Sequence, residues 1–138
     1  MIIGFTGTKK GMTKYQKDKV RSTLEECYEI SGTNIFHHGD CIGADAEAHD
    51  IAADIGYYIV IHPPKDPKAR AFKTAFQYQM MLPKPYLDRN RDIVDSCQLL
   101  IATPDGPEVL RSGTWSTIRY ANKVRTCRIV IHLSPFSI

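Results

Sequence analysis

The stretch Leu99-Leu100-Ile101-Ala102, followed after a loop by Arg111-Ser112-Gly113-Thr114-Trp115-Ser116-Thr117, decides the fold of this chain. The first run is apolar and has the length of a buried strand, and the second begins a helix near Thr114. A strand that leads through a small, hydroxyl-rich turn into a helix brings free backbone N–H groups and the positive end of a helix dipole to one point. The stretch therefore predicts an α/β fold with an anion site the size of a phosphate.

A similar junction lies at the start of the chain, in Gly4-Phe5-Thr6-Gly7-Thr8-Lys9-Lys10-Gly11. Gly7 allows a ligand to approach the backbone closely, Thr6 and Thr8 supply hydroxyls, and either lysine can meet a phosphate. The pattern is neither a Walker A motif nor a clean GxGxxG. It fits a structural turn or a ligand-binding loop, and its place after the first strand favours the ligand loop.

A third junction, His38-Gly39-Asp40-Cys41-Ile42-Gly43-Ala44-Asp45, combines two glycines with two carboxylates. Asp45 falls in the first turn of the following helix, where it either stabilises the helix dipole by about 0.3–1 kcal/mol or holds ribose hydroxyls. Cys41 has no sequence partner that would make it a nucleophile. The neighbouring His37 and His38 point to opposite faces of a strand, so they cannot bind one ion together, and we expect no metal.

Arginines and a tryptophan complete the candidate site. Arg89 and Arg91 are two residues apart and diverge by about 200° on a helix, so only one of them faces the same side as a ligand. An arginine aimed into a crevice suits a phosphate or a ribose, and Asn90 follows Arg89 directly. Trp115 either stacks on a base or packs against the sheet, and its large apolar area favours packing.

Hydrophobic periodicity predicts strands alternating with helices along nearly the whole chain. The predicted strands cover about residues 1–5, 34–38, 57–62, 98–103 and 127–133, and the helices about 14–30, 44–55, 87–96 and 114–123. This alternation predicts a Rossmann-like, doubly wound parallel sheet of about five strands, in the order 3-2-1-4-5, with helices on both faces. The ligand crevice is expected at the carboxyl ends of strands 1 and 4, where the strand order reverses.

Length and composition indicate one domain over residues 1–138, with a net charge of +3 from 18 basic and 15 acidic residues. A proline-rich, basic insertion at about 63–85 interrupts the alternation of strands and helices and carries only a weak helical pattern, over 69–81. Four widely spaced cysteines, no membrane-length apolar run and no signal-peptide pattern before the first strand lead us to expect a cytoplasmic protein with no membrane partner.

The chain resembles the YspA-type branch of the SLOG superfamily, a Rossmann-like group that includes the Lonely Guy phosphoribohydrolases and the core of DNA-processing protein A. The resemblance spans residues 1 to about 132. It rests on four motifs, which are Gly4 to Gly11, His38-Gly39-Asp40 through Asp45 to His49, Arg89-Asn90, and Ser112-Gly113-Thr114-Trp115. The resemblance implies a nucleotide site, and it also implies a homodimer that pairs through helices beside the site.

One departure bears on the chemistry. The hydrolases of the superfamily carry a glutamate shortly after the glycine-threonine turn, where this chain has Ser116 and Thr117. Cleavage of an N-glycosidic bond needs negative charge or an acid near the reacting carbon, and hydroxyls are poor substitutes. Asp40, Asp105 or Glu108 replaces the glutamate only if a loop brings it to the sugar. The catalytic residues are therefore unknown, with Arg89, Asp40 and Glu108 as candidates.

Three functions follow from these observations. The favoured one is binding of a nucleotide or nucleotide-derived ligand, such as ADP-ribose or a cyclic relative, without a separate cofactor. The alternatives are a nucleoside 5'-monophosphate phosphoribohydrolase and, less favoured, a single-stranded DNA-binding protein that uses the basic insertion. The expected ligand-binding residues are Thr6, Gly7, Thr8, Gly39, Asp40, Gly43, Asp45, Arg89, Asn90, Ser112, Gly113 and Thr114.

Overall fold

The computed structural model describes residues 1–124, Cys127 and residues 129–136. Its centre is a parallel sheet of six strands. The strands are β1 (Ile2–Gly7), β2 (Ile35–His38), β3 (Tyr58–Ile61), β4 (Tyr78–Met80), β5 (Leu99–Thr103) and β6 (Ile129–His132). Their spatial order is β4-β3-β2-β1-β5-β6, so the order reverses between β1 and β5.

Helices cover both faces of the sheet. They are α1 (Lys14–Cys27), α2 (Ala44–Ile55), α3 (Tyr86–Ser96) and α4 (Gly113–Lys123), with a short 3-10 turn at Pro67–Ala69. The first two helices pack together on one face, and α3 and α4 pack together on the other. The Rossmann-like, doubly wound α/β architecture expected from the sequence is confirmed. None of the helices in the described part of the chain is long and apolar enough to cross a membrane.

The sheet has one strand more than the sequence predicts. The helix that the pattern over 69–81 weakly indicates is a wrong prediction, because Tyr78–Met80 is a strand that pairs in parallel with β3. The open edge of β3 offers backbone hydrogen bonds that a short segment between proline-rich turns can use, and this tertiary pairing outweighs local periodicity. Since β4 adds outside β3, the predicted order 3-2-1-4-5 is kept within the longer order 4-3-2-1-5-6.

Several boundaries differ from the predicted ones by a few residues. The first strand continues to Gly7, and α1 ends at Cys27 rather than near residue 30. The last strand covers Ile129–His132, and Arg128 in the predicted range lies outside the described residues. Thr13 and Gln16 form the expected reciprocal capping box, and Gly56 ends α2 with φ of 119°.

Alternating side chains along β1 join two separate cores. Ile3 and Phe5 are fully buried among residues of α1 and α2. Gly4 faces the other side, where an added Cβ would lie 2.8 Å from the Cys97 Sγ. This close approach seats α3 directly on β1, which brings the start of α3 to the carboxyl end of the sheet.

Two pairs of buried histidines flank β2, one on each face. His37 Nδ1 lies 2.8 Å from His62 Nε2, and His38 Nε2 lies 2.8 Å from His49 Nδ1. The adjacent histidines therefore point to opposite faces, as strand geometry requires. Within the described residues, no group of three or more His, Cys, Asp or Glu side chains is placed to hold a metal ion.

The second pair, His38 and His49, belongs to a relay of hydrogen bonds that runs from the Asp40 N–H to the Thr74 carbonyl. The donor at one end and the acceptor at the other fix which ring nitrogen of each histidine carries the proton. The Asp40 N–H donates to His38 Nδ1 over 2.9 Å, so a neutral His38 carries its proton on Nε2 and donates to His49 Nδ1. His49 then carries its proton on Nε2 and donates to the carbonyl of Thr74, 2.9 Å away. An additional proton on either ring would place two donors face to face.

We expect the protein to lose stability in acid because these histidines are buried in their neutral form. Burial lowers the pKa of His37 and of His62 from 6.5 to about 4, and it lowers the pKa of His38 and of His49. The unfolded chain takes up protons from about pH 6.5 downwards while the folded chain does not. The free energy of unfolding should therefore fall by up to about 1.4 kcal/mol per pH unit for each of His37 and His62 between about pH 6.5 and 4, and His38 and His49 should act in the same direction.

Urea unfolding at a series of pH values measures the slope of the free energy of unfolding against pH. The double variant His37→Gln/His62→Gln should have a shallower slope, and substitution of the exposed His132 by Gln should leave it unchanged. Equal slopes in the wild type and the double variant would contradict the assignment.

Candidate functional site

A cavity of about 680 Å³ opens at the carboxyl ends of β1 and β5, where the strand order reverses. Its walls come from the loops that follow these two strands, from the turn between β2 and α2, and from the start of α3. The lining residues include ten of the expected ligand-binding residues, which are Thr6, Gly7, Thr8, Gly39, Asp45, Arg89, Asn90, Ser112, Gly113 and Thr114.

The beginning of α4 forms one wall of the cavity. Ser112 caps this helix, since its side-chain oxygen accepts the Trp115 N–H over 3.2 Å and its carbonyl accepts the Ser116 N–H over 2.9 Å. The N–H groups of Gly113 and Thr114 have no partner among the described residues. Two free donors at the positive end of a helix form an anion site, and Arg111 adds a positive charge on the same wall.

Gly113 is a glycine that the fold itself does not require. Its φ is outside the left-handed region, and a Cβ added to it would meet no atom within 4 Å. The space that a side chain would fill is part of the cavity. The missing side chain therefore leaves the free N–H groups of α4 open to a ligand.

The beginning of α2 is closed by the chain itself. The Ala44 N–H donates to the carbonyl of Thr8 over 3.0 Å, and the same carbonyl accepts the Gly11 N–H over 3.2 Å. Gly43 has φ of 91°, and a Cβ there would collide with the carbonyl oxygen of Lys9. Gly43 therefore holds the loop after β1 against α2, and it is not among the described residues that line the cavity.

Arg89 extends its buried guanidinium beneath the cavity. Nη1 donates to the carbonyl of Gly39 over 2.5 Å and to the carbonyl of His62 over 3.2 Å, and Nε donates to Asn90 Oδ1 over 2.7 Å. A Cβ on Gly39 would collide with this guanidinium. The arginine ties the ends of β2 and β3 to α3, and its charge remains at the cavity wall.

Asp45 places a buried carboxyl group on the same wall. Its Oδ2 accepts the Cys41 N–H over 3.2 Å. Burial raises the pKa of Asp45 to about 6, although the nearby Arg89 lowers it. Burial also raises the pKa of the Cys41 thiol, which keeps this cysteine protonated at neutral pH. A carboxyl group that titrates near neutrality in a cavity is able to act as a general acid or base.

The structure places two of the candidate carboxylates away from the cavity. Asp40 is fully buried, and its carboxylate accepts the Arg70 guanidinium over 3.2 Å and the Lys73 N–H over 3.0 Å. Glu108 lies 2.9 Å from Arg119 at the surface. Within the described residues, the carboxylates that line the cavity are Asp45 and Asp105, and Asp105 lies 3.4 Å from the Lys10 ammonium group.

Several cavity residues carry no motif that the sequence analysis could use. Tyr86 and Leu87 begin α3, and Val109 lies in the loop before α4. The Lys9 ammonium group donates to the Tyr86 hydroxyl over 3.2 Å and lies 5.1 Å from the centre of its ring. These apolar and aromatic side chains give the cavity one face suited to a planar ring. The sequence signal that could have identified Tyr86 and Leu87 is their apolar character directly after Pro85, at the start of α3.

Two further side chains lie in the expected ligand-binding loops. Thr8 lines the cavity, but its hydroxyl oxygen is buried away from the open space and has no hydrogen-bond partner within the described structure, which costs about 1–3 kcal/mol. Trp115 instead packs edge-on against His132, with ring centres 5.6 Å apart, and donates to the Gly106 carbonyl over 3.3 Å. Packing is therefore the role that the structure gives Trp115.

Comparisons with known proteins identify a shared fold. The chain matches no protein family that was compared, and it matches no curated protein. Among solved structures it is similar to the structure of the Moco carrier protein from Chlamydomonas reinhardtii, with a TM-score of 0.64 and 18% sequence identity. The match covers 96% of this chain and 76% of the other. This similarity supports the Rossmann-like architecture.

We expect Asp45→Asn to stabilise the protein at neutral and alkaline pH. The pKa of Asp45 rises from 3.8 to about 6 on folding, so ionisation disfavours the folded state increasingly as the pH rises through this range. A neutral asparagine avoids this penalty of about 2–3 kcal/mol and can still accept the Cys41 N–H.

Thermal or urea unfolding at about pH 8 and pH 4 checks this expectation. The advantage of the variant should be present at the higher pH and absent at the lower one. The exposed Asp54→Asn serves as control, and a destabilised Asp45→Asn at the higher pH would contradict the account.

Proposed function

We propose that this chain binds a nucleotide or a nucleotide-derived ligand, such as ADP-ribose or a cyclic relative, in the cavity at the end of β1 and β5. The observation that carries the proposal is the open start of α4, where Gly113 and Thr114 present two free N–H groups beside the charge of Arg111. These groups suit a phosphate.

The other walls suit the remaining parts of a nucleotide. Asp45 lines the cavity, and its carboxyl group suits hydrogen bonds from ribose hydroxyls. Tyr86, Leu87 and Val109 offer an apolar face for a base. The similar solved structure is that of a protein whose name describes a carrier, which agrees with binding as the main activity.

A second candidate, hydrolysis of the N-glycosidic bond of a nucleoside monophosphate, is favoured by one observation. Asp45 is a buried cavity carboxyl whose pKa lies near 6, and the positive charge of Arg89 lies nearby. In that reaction the water oxygen would bond to the sugar carbon as the carbon–nitrogen bond breaks, and the carboxylate would take the water proton and pass it to the departing base, which keeps the electron pair of the broken bond. Of the candidate catalytic residues, Arg89 stays in this proposal, whereas Asp40 and Glu108 have other partners.

Single-stranded DNA is less favoured because three of the five cations of the basic insertion are paired with carboxylates, which leaves Lys65 and Lys68. Arg70 lies 3.2 Å from Asp40, Lys73 lies 2.8 Å from Asp50, and Lys84 lies 2.6 Å from Asp92. Cations that are already neutralised release few counterions from a phosphate backbone. Binding of a small nucleotide therefore accounts better for the arrangement of charge.

Binding experiments with a matched pair of glycine variants test the proposal. Native mass spectrometry and calorimetry should show that the wild-type protein retains at least one of AMP, NAD, ADP-ribose and cyclic ADP-ribose. Gly113→Val fills the open space at α4 and should weaken that binding at least about tenfold, because it covers the free N–H groups. Gly106→Val is the control, since a Cβ there also meets no atom within 4 Å but Gly106 is outside the cavity lining.

Each outcome separates the candidate functions. Chromatography of the incubated ligands detects turnover, and release of free base by the wild type but not by Asp45→Asn would establish the hydrolase. Wild-type affinity in Gly113→Val would refute the anion site at α4. Retention of no nucleotide, together with salt-dependent binding of a single-stranded oligonucleotide, would replace the proposal with DNA binding.

A further inference from the structure

A group of exposed apolar side chains gathers along one edge of the sheet. Of the fifteen large apolar side chains that are exposed in the described structure, six lie within residues 72–82. We call them the edge patch, which comprises Phe72, Phe76, Tyr78, Met80, Met81 and Leu82. Phe76 is 100% exposed and Leu82 is 83% exposed. An apolar surface this concentrated is typical of an interaction site.

The backbone of β4 runs through the edge patch and is unpaired on its outer side. The Gln77 carbonyl accepts from Ile59, and the Met81 N–H donates to Ile61, so alternate residues of the strand face β3. Tyr78 and Met80 therefore turn their N–H and C=O groups outward. Because β4 is the last strand of the sheet, these groups offer a pairing edge to another strand.

Three of the five cations of the insertion are paired within the chain, and the other two, Lys65 and Lys68, have no ion pair in the described structure. Three cations of the insertion, Arg70, Lys73 and Lys84, are each within 3.2 Å of a carboxylate. A surface with neutralised cations does not repel a copy of itself, and it does not attract a polyanion strongly. Its charge state thus favours self-association over binding of a nucleic acid.

The turn before β4 holds one ring of the patch outward under strain. Phe72 has φ of 56°, which is rare for a bulky residue, and its ring is 59% exposed. Three hydrogen bonds to Asp40, from Ala71 N–H, Lys73 N–H and the Arg70 side chain, maintain this conformation. The fold therefore uses a buried carboxylate to keep an aromatic ring on the surface.

We propose that a second copy of this chain covers the edge patch, with β4 of one copy pairing antiparallel to β4 of the other about a two-fold axis. Centred on Gln79, this pairing sets Tyr78 of each copy opposite Met80 of the other. The outward N–H and C=O groups of both residues then form four backbone hydrogen bonds across the axis. Tyrosine and methionine also pack well together, since sulfur contacts with aromatic rings are favourable.

The size of the segment fits a stable interface. A standard interface uses about 20–30 residues on each side, and the stretch from Phe72 to Leu87 supplies more than half of that number. Because the cavity lies at the carboxyl ends of the parallel strands, antiparallel pairing through β4 places the two cavities of the dimer at opposite ends of a shared twelve-stranded sheet.

Sedimentation velocity and light scattering of the full chain test this assembly. The wild type should sediment as a dimer at micromolar concentration. Phe76→Glu/Leu82→Glu adds charge to fully exposed positions of the edge patch, and it should raise the dimer dissociation constant at least about tenfold. Met80→Pro removes an outward N–H without touching the pairing to β3, and it should have the same effect.

The control is Ile30→Glu/Phe136→Glu, which adds the same charge at side chains that are 100% and 74% exposed elsewhere. It should dimerise like the wild type, and circular dichroism should show that all variants are folded. A wild-type monomer at every concentration would overturn the proposal. A dimer that survives both edge variants would also overturn it, because the copies would then pair through another surface such as the exposed helices.

Discussion

The cavity depends on the buried guanidinium of Arg89. This group binds the carbonyls at the ends of the paired strands β2 and β3 while its own backbone belongs to α3, so it ties α3 to the carboxyl end of the sheet. Backbone carbonyls satisfy the charge without neutralising it. The result is a rigid turn at Gly39 and a positive charge beneath an open space. Asp45 shares this environment. Burial destabilises its carboxylate more than the charge of Arg89 stabilises it, so the pKa of Asp45 is raised.

A second buried acid has a structural role. Asp40, which has φ of 53°, gives its carboxylate to the turn at residues 70–73 and its N–H to the histidine relay that ends at Thr74. The same short turn after β2 thus supports the cavity through Gly39 and the outer edge of the sheet through Asp40. Two adjacent residues of one loop therefore support the cavity and the edge patch separately.

The cavity keeps features that reduce stability. The first N–H groups of α4 have no partner in the described structure, and Asp45 is buried as a carboxyl group that titrates near pH 6. Each has a cost that a well-packed alternative would avoid. Such features concentrate where a ligand is bound, because the ligand supplies the missing partners. Their gathering at one end of the sheet distinguishes this cavity from an incidental packing defect.

The sequence by itself determined the doubly wound fold, because buried strands and amphipathic helices have different periods that are visible in β1, β5 and α2. It also determined the Thr13–Gln16 cap and the glycine-rich turns, whose chemistry is local. Only the tertiary structure decided that Tyr78–Met80 is a strand, since its pairing partner β3 lies far away in sequence. It likewise decided that Asp45 lines the cavity and Asp40 does not. Both acids occupy the same loop motif, and the direction of each side chain depends on the positive φ of Asp40 and on contacts made by distant residues.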